Sequence, residues 1–180
     1  MKRLLVVVLL GVSILCSAAQ PPQYRHSFSI GWGDMLFETL AFHPKPEENP
    51  FGYTGHFFAE YQYAFTRVVS AGMQLDYEGI FTGEMKNHNF VAMPTLYFSF
   101  LRKDWFRMYA GLGAGLLWAS DDAGGSEFAP VFNINFLGAE FGKGHWTGAV
   151  ELGSLISLKN ANKIYMFGSR LISARLNYRF

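Results

Sequence analysis

The chain has 180 residues, with 15 Lys and Arg against 14 Asp and Glu, and half of its residues are hydrophobic. The formal net charge of +1 comes without a basic face or block, so the sequence predicts no nucleic-acid partner. The length suits a single domain. The only cysteine, Cys16, excludes a disulfide framework within the chain.

The N-terminus has the organisation of a secretory signal. Two charged residues precede an apolar run at 4–15, and small residues follow up to Ala19, so we predict cleavage after a signal peptide of residues 1–19. A membrane-anchoring helix is the alternative, but the apolar run is short of the roughly 20 residues that span a bilayer. A lipoprotein signal at Cys16 is less favoured, because Leu15 stands where a small residue is usual.

The remainder, 20–180, alternates between apolar and polar residues with a period of two and is interrupted by turn residues. This pattern is typical of β-strands with one face on each side of a sheet. We predict eight strands, at 25–36, 53–65, 68–80, 90–101, 105–118, 129–142, 146–157 and 164–180.

Two positions interrupt the alternation. Pro94 lies inside the fourth strand, where proline removes a ladder hydrogen bond, so a bulge or local gap is expected. In the sixth strand continued alternation would place Glu140 on the apolar face. A β-bulge near Phe136 and Leu137 would return Glu140 to the polar face. Gly142-Lys143-Gly144 is predicted to be a tight turn.

The predicted connections alternate in length, longer after strands one, three, five and seven and tight after the others. Transmembrane barrels combine longer outer loops with short periplasmic turns. Surface loops carry function in many proteins. Any ligand or partner is therefore expected at four loops: 37–52, 82–89, 119–128 and 158–163.

The last nine residues alternate strictly between apolar and polar, and this pattern is the most specific one in the sequence. Its apolar set comprises Ile172, Ala174, Leu176, Tyr178 and Phe180, with polar residues between them. Here the chain resembles the bacterial outer-membrane β-barrel family, whose last strand alternates in this way and ends in Phe. The resemblance implies an all-β, eight-stranded antiparallel up-and-down transmembrane barrel in the outer membrane of a Gram-negative cell. It also implies that these five residues are an insertion signal read by the barrel-assembly machinery, a partner in addition to the lipid bilayer.

The inward face of such a barrel would collect charged residues of both signs. These are Arg25, Glu60, Asp76, Glu78, Arg107, Glu151, Arg175 and Arg179. An eight-stranded barrel has an interior only wide enough for its own side chains. Buried charges must be paired. We therefore interpret the set as a structural lumen polar network, with a narrow porin-like pore for ions or small solutes as the alternative.

The outward face would be apolar, with aromatic residues near the strand ends, as in the aromatic girdles of membrane barrels. A soluble lipocalin-like carrier has the same period with the faces exchanged. Periodicity alone does not separate the two; the last strand and the loop lengths favour the membrane barrel.

Catalytic candidates are few. Some small outer-membrane barrels modify lipid A through a histidine with a serine and an acid, and the local candidates are His26-Ser27 and His56 with Glu60. Neighbours in a strand face opposite sides, and His56 and Glu60 are more than a side-chain length apart. No metal-ligand or phosphate-loop pattern occurs in the sequence. We predict a structural or adhesive barrel, not an enzyme, without a cofactor or metal.

Overall fold

The computed structural model describes residues 22–33, 53–82, 85–121, 124–158, 164–167 and 172–180. The predicted signal peptide lies outside these residues and stays a prediction. The strands are β1 (His26–Gly33), β2 (Tyr53–Ala64), β3 (Val69–Thr82), β4 (Met85–Lys103), β5 (Phe106–Asp121), β6 (Ser126–Phe141), β7 (Trp146–Leu158), β8 (Ile164–Phe167) and β9 (Ile172–Arg179). No helix among the described residues is long and apolar enough to span a bilayer.

The strands form a closed antiparallel barrel. Each strand from β1 to β7 pairs with the next, and β1 pairs with β9, so that Phe28 lies opposite Tyr178. Both β8 and β9 pair with β7. β8 pairs with its residues 155–158 and β9 with its residues 146–152, so the two short strands together occupy the eighth strand position of the barrel. The predicted fold class, an eight-stranded antiparallel up-and-down barrel, is confirmed.

We name the two ends of the barrel by the segments that meet there. The terminal end holds the start of β1, the end of β9 and the connections 65–68, 104–105 and 142–145. The opposite end is the loop end. The 142–145 turn has positive φ at Gly142 (133°) and Gly144 (74°), as the predicted tight turn requires.

The predicted alternation of loop lengths is wrong at two hairpins, because the connections 83–84 and 122–125 are no longer than those at the terminal end. β3 ends at Thr82 and β4 begins at Met85, so most of the predicted 82–89 loop is paired strand, with Glu78 opposite Asn89. Likewise β5 reaches Asp121 and β6 starts at Ser126 within the predicted 119–128 loop. Polar residues in these segments indicated loops, but backbone pairing can continue beyond the apolar belt of a barrel, where polar side chains meet water. The predicted loop 37–52 and most of 158–163 lie outside the described residues.

Both irregularities expected from the sequence are present. Opposite β5, Met93 and Pro94 have no ladder partners, while the register on either side is unchanged, which is a local gap. The β6–β7 register shifts between Asn135 and Leu137, which is a β-bulge at Phe136. Beyond the bulge Glu140 faces the interior and is 3% exposed.

The inside and outside of the barrel are inverted relative to a soluble protein. Among the described residues, twenty buried side chains are polar or charged and ten are hydrophobic. The exterior carries large apolar side chains around the barrel, including Ile30, Leu75, Leu116, Phe136 and Leu176. Soluble monomers do not expose a continuous apolar belt of this kind. In a membrane barrel it faces lipid. The lipocalin-like alternative, which needs an apolar interior, is therefore wrong.

Part of the interior is apolar, which the sequence analysis did not anticipate. Towards the loop end of β4 to β7 a buried cluster comprises Val91, Met93, Leu117, Ala129, Val131 and Leu155. Gly115 permits the close approach of β4 and β5 there. A Cβ atom on Gly115 would lie 2.1 Å from the carbonyl oxygen of Ala92 and 2.5 Å from Cβ of Met93.

We predict that Gly115→Val prevents normal closure between β4 and β5. Overpacking of this kind costs about 1–3 kcal/mol where the backbone can adjust. The contact with a backbone oxygen should place the variant at the upper end of this range. The measurement is the urea midpoint of the compact, unboiled band on a detergent gel. Gly148→Ala is the control, because the nearest atom to its Cβ would be 4.0 Å away. Equal midpoints for both variants would contradict the prediction.

Candidate functional site

The centre of the barrel is crossed by a buried ionic cluster of five residues: Glu60, Tyr97, Tyr109, Glu151 and Arg175. They come from five strands, β2, β4, β5, β7 and β9, each at an inward position. We call this set the central cluster. It joins opposite walls of the barrel through side chains alone.

Arg175 bridges the two carboxylates of the central cluster. Its Nη1 donates to Oε2 of Glu60 at 2.7 Å, and its Nη2 lies 3.1 Å from Oε1 of Glu151. The side chains of Arg175, Glu60 and Glu151 are 1%, 0% and 2% exposed. One guanidinium charge is therefore paired with two buried carboxylates. The negative charge that it does not neutralise must be stabilised by hydrogen bonds.

The two tyrosines complete the central cluster. The Tyr97 hydroxyl donates to Glu60 at 3.1 Å, and the Tyr109 hydroxyl donates to Glu151 at 2.6 Å while accepting from Arg175 at 2.8 Å. The Arg175 guanidinium also lies 5.4 and 5.2 Å from the two ring centroids, within cation–π range.

Other polar side chains and two glycines surround this arrangement. Thr95 and Gln62 donate to Glu60 at 2.5 and 2.7 Å. The ring of Tyr97 covers Gly111 and the ring of Tyr109 covers Gly138, where a Cβ would come within 2.6 and 2.3 Å of the respective rings. Inward glycines thus provide the space that the bulky residues of a narrow lumen need.

Nearer the terminal end lies a second group around Glu140, which we call the Glu140 cluster. Glu140 is 2.6 Å from Nη2 of Arg179 and 3.4 Å from Nη1 of Arg107. Thr147 donates to it at 2.5 Å and Asn177 at 3.0 Å. Here two guanidinium groups share one carboxylate, the reverse of the ratio in the central cluster.

Nearer the loop end lies an acidic group. His56 Nε2 is 3.1 Å from Asp76 Oδ2, and Gln74 donates to Asp76 at 2.6 Å. Asn89 donates to Glu78 at 3.1 Å. The partner of His56 is thus Asp76 on the neighbouring strand, and not Glu60 as the sequence analysis considered.

The predicted network and the structure differ at two positions. Seven of the eight charged residues predicted to be inward lie inside the barrel, but Arg25 precedes β1, is exposed and donates to the outward Tyr63 at 3.3 Å. The backbone oxygen of Arg25 accepts a hydrogen bond from Ala64 N at 2.7 Å, but the ladders with β2 and β9 begin only at His26 and Ser27, so alternation does not fix the Arg25 side chain. Glu140, left out of the predicted set, is inside because of the bulge at Phe136.

These changes alter the predicted charge balance. The enclosed charged residues are Glu60, Asp76, Glu78, Glu140 and Glu151 against Arg107, Arg175 and Arg179. The balance of four and four expected from the sequence is wrong: acids are in excess inside, and the additional basic residues lie at the terminal end.

The proposed insertion-signal residues close the barrel seam. Ala174, Leu176, Tyr178 and Phe180 are exposed on the outer face, and Ile172 is half-buried. Phe180 stacks on His26 with ring centroids 5.6 Å apart, and the two residues exchange backbone hydrogen bonds of 3.1 and 2.9 Å. His26 Nδ1 lies 2.5 Å from the hydroxyl of the outward Tyr61. The role of this strand in insertion stays a prediction.

The described residues contain no group of three His, Cys, Asp or Glu placed to hold a metal ion. The arrangement is an ion-paired interior enclosed by an apolar exterior, and it defines an integral outer-membrane β-barrel.

Among the comparisons with known proteins, one solved barrel domain with a TM-score above 0.5 supports the fold. No protein-family model matches the chain, and no curated protein sequence does. The N-terminal β-barrel domain of Pseudomonas aeruginosa OprF is 12% identical, with a TM-score of 0.52 over 88% of this chain and 100% of that one. The crystal structure of Ail, the attachment invasion locus protein of Yersinia pestis, is 13% identical, with a TM-score of 0.48 over the same shares.

We predict that Arg175→Met destabilises the barrel by about 3–5 kcal/mol, because it leaves two buried carboxylates without their cation. Glu60→Gln should cost less, since Arg175 keeps Glu151 and the amide keeps much of the hydrogen bonding. Urea unfolding in micelles, followed by tryptophan fluorescence, measures both. The triple variant Arg175→Met, Glu60→Gln, Glu151→Gln should recover part of the loss. An Arg175→Met barrel as stable as the wild type would contradict the assigned role.

Proposed function

We propose that the protein is a structural, non-conducting outer-membrane barrel whose interior is permanently filled and which holds its loops at the cell surface. The observation that carries this proposal is the bridge from Glu60 through Arg175 to Glu151 across the middle of the lumen. Its three side chains are at most 2% exposed.

A pore requires a continuous water path, and the central cluster interrupts one. The side chains of Tyr97 and Tyr109 are 1% and 0% exposed and contact each other edge to face at 5.6 Å. Opening this layer would break several charge-assisted hydrogen bonds together, and burying a charge without its partner costs several kcal/mol. The interior therefore supports a filler role over ion conduction.

In the proposed role, any binding of a ligand or partner takes place at the loop end. A filled barrel is a rigid support, and loops on a rigid scaffold are where binding residues concentrate in many proteins. An adhesive role would use residues of 37–52 and 158–163, together with the hairpin ends near Met85 and Ser126. The same reasoning supports a structural rather than a catalytic role.

Planar-bilayer recording tests the proposal. We expect no stepwise conductance from the wild type. The double variant Tyr97→Ala, Tyr109→Ala removes the two rings that fill the space beside Gly111 and Gly138, and it should allow a measurable ion current. The control is Tyr61→Ala, Tyr63→Ala, the same chemical change on the outer face of β2, which should stay closed.

Only protein that shows the compact, heat-modifiable band on a detergent gel should be recorded, so that loss of folding is not counted as closure. Reproducible single-channel steps from the wild type would overturn the proposal and favour the narrow pore.

The insertion signal is tested separately. We predict that Phe180→Ala slows assembly by the barrel-assembly machinery in proteoliposomes while changing the stability of the finished barrel little, because Phe180 is 52% exposed. Phe128→Ala, an exposed phenylalanine of β6 at the loop end, is the control and should assemble at the wild-type rate. Equal assembly rates for the two variants would remove the special role of Phe180.

A further inference from the structure

Basic side chains converge at the terminal end of the barrel around a half-enclosed cavity of about 140 Å³. Five of its lining residues are cationic, Arg67, Arg102, Lys103, Arg107 and Arg179, and one is acidic, Asp104. We call this cavity the basic vestibule. A smaller cavity of about 30 Å³ adjoins it and shares four of these residues, Arg67, Arg102, Arg107 and Arg179.

The described protein atoms compensate only part of this charge. Arg107 and Arg179 share the single carboxylate of Glu140. Arg102 Nη1 donates to the backbone carbonyl oxygen of Arg67 at 3.2 Å, a neutral acceptor. Within the described part of the chain, neither Arg67 nor Arg102 forms an ion pair with a carboxylate. The vestibule therefore keeps an excess of positive charge.

Side-chain contacts hold Arg107 in place, and the strand register places Arg102 opposite it. Arg107 donates through Nε to Ser99 at 2.6 Å and through Nη2 to Ser70 at 3.3 Å, and it lies 4.7 Å from the Tyr109 ring centroid. Arg102 and Arg107 are directly opposite each other in the β4–β5 ladder. Like charges at directly opposed positions are destabilising unless something between them compensates.

Guanidinium groups held in this way match the geometry of tetrahedral oxyanions. Arginine presents a planar fork of donors that suits phosphate, and such charge-assisted hydrogen bonds are about twice as strong as neutral ones. Arg102 is fixed at one nitrogen only, which leaves its other donors available to the cavity. Arg67 and Lys103 at the rim add attraction at longer range.

We propose that the basic vestibule is a binding site for a phosphate-type oxyanion, supplied either as a free anion or as the headgroup of an anionic lipid. Arg102 would be the principal ligand, with Arg67 and Lys103 at the entrance. Asp104 at the rim disfavours a fully buried polyanion and suits a single phosphate group.

The probe is inorganic phosphate added to the full barrel in a zwitterionic detergent without phosphate groups. We expect saturable binding by calorimetry and an increase in the unfolding midpoint, as a ligand that binds only the folded state produces. Arg102→Gln should weaken phosphate binding by roughly tenfold or more, the loss of one charge-assisted hydrogen bond. It should also remove the increase in midpoint.

Lys143→Gln is the matched control. It removes the same charge from an exposed residue in the 142–145 turn at the same end, and Lys143 does not line the cavity. The control should bind phosphate as the wild type does. Lack of saturable binding by the wild type would overturn the proposal, as would an equal loss in both variants, which would indicate general attraction to a basic surface.

The heat-modifiable band verifies that each variant is folded. Lipid nanodiscs then distinguish the two sources of the phosphate group. If phosphatidylglycerol in a phosphatidylcholine disc competes with inorganic phosphate, the ligand is a lipid headgroup. If it does not compete, the ligand is a free anion. Either result supports the site itself.

Discussion

The structure depends on a single constraint: a charged arginine is held inside a barrel too narrow to contain bulk water. Arg175 is on β9, and its partners Glu60 and Glu151 are on β2 and β7. A buried charge requires a partner with good geometry and further hydrogen bonds. The register of three strands that meet only when the barrel is closed is therefore coupled through one side chain. A slip of one residue in any of them would turn its partner towards lipid.

The remaining interior follows from this arrangement. Tyr97 and Tyr109 can pack against Arg175 only because Gly111 and Gly138, their partners on the neighbouring strands, leave room for the rings. The bulge at Phe136 serves the same end, since it changes which residues of β6 point inward and delivers Glu140 to Arg107 and Arg179. Inside the barrel, glycines and the bulge at Phe136 allow polar side chains to reach one another, whereas the outer face needs only to be apolar.

The sequence was sufficient for the strands and their phase because period-two alternation is strong wherever one face meets lipid. It also located the bulge, since Glu140 could not remain on the apolar face. It failed where alternation carries no information. Arg25 precedes the first residue of β1, and the β3–β4 and β5–β6 hairpins are paired outside the apolar belt. Partner choice was also inaccessible, because pairing His56 with Asp76 depends on the register between β2 and β3. The inward Val91, Met93 and Leu117 were missed for a related reason: an apolar residue between apolar neighbours gives no alternation to read.

The distribution of charge along the barrel connects the filled interior with the basic terminal end. Acidic groups predominate towards the loop end, at Asp76 and Glu78, and basic groups predominate at the terminal end, around Arg102 and Arg107. The central cluster separates the two regions, and its charged side chains are at most 2% exposed. An anion that enters the basic vestibule therefore meets the Glu140 cluster and then a closed layer carrying two carboxylates. Electrostatic repulsion and steric closure act together there, so this geometry favours holding an anion at the mouth over passing it through.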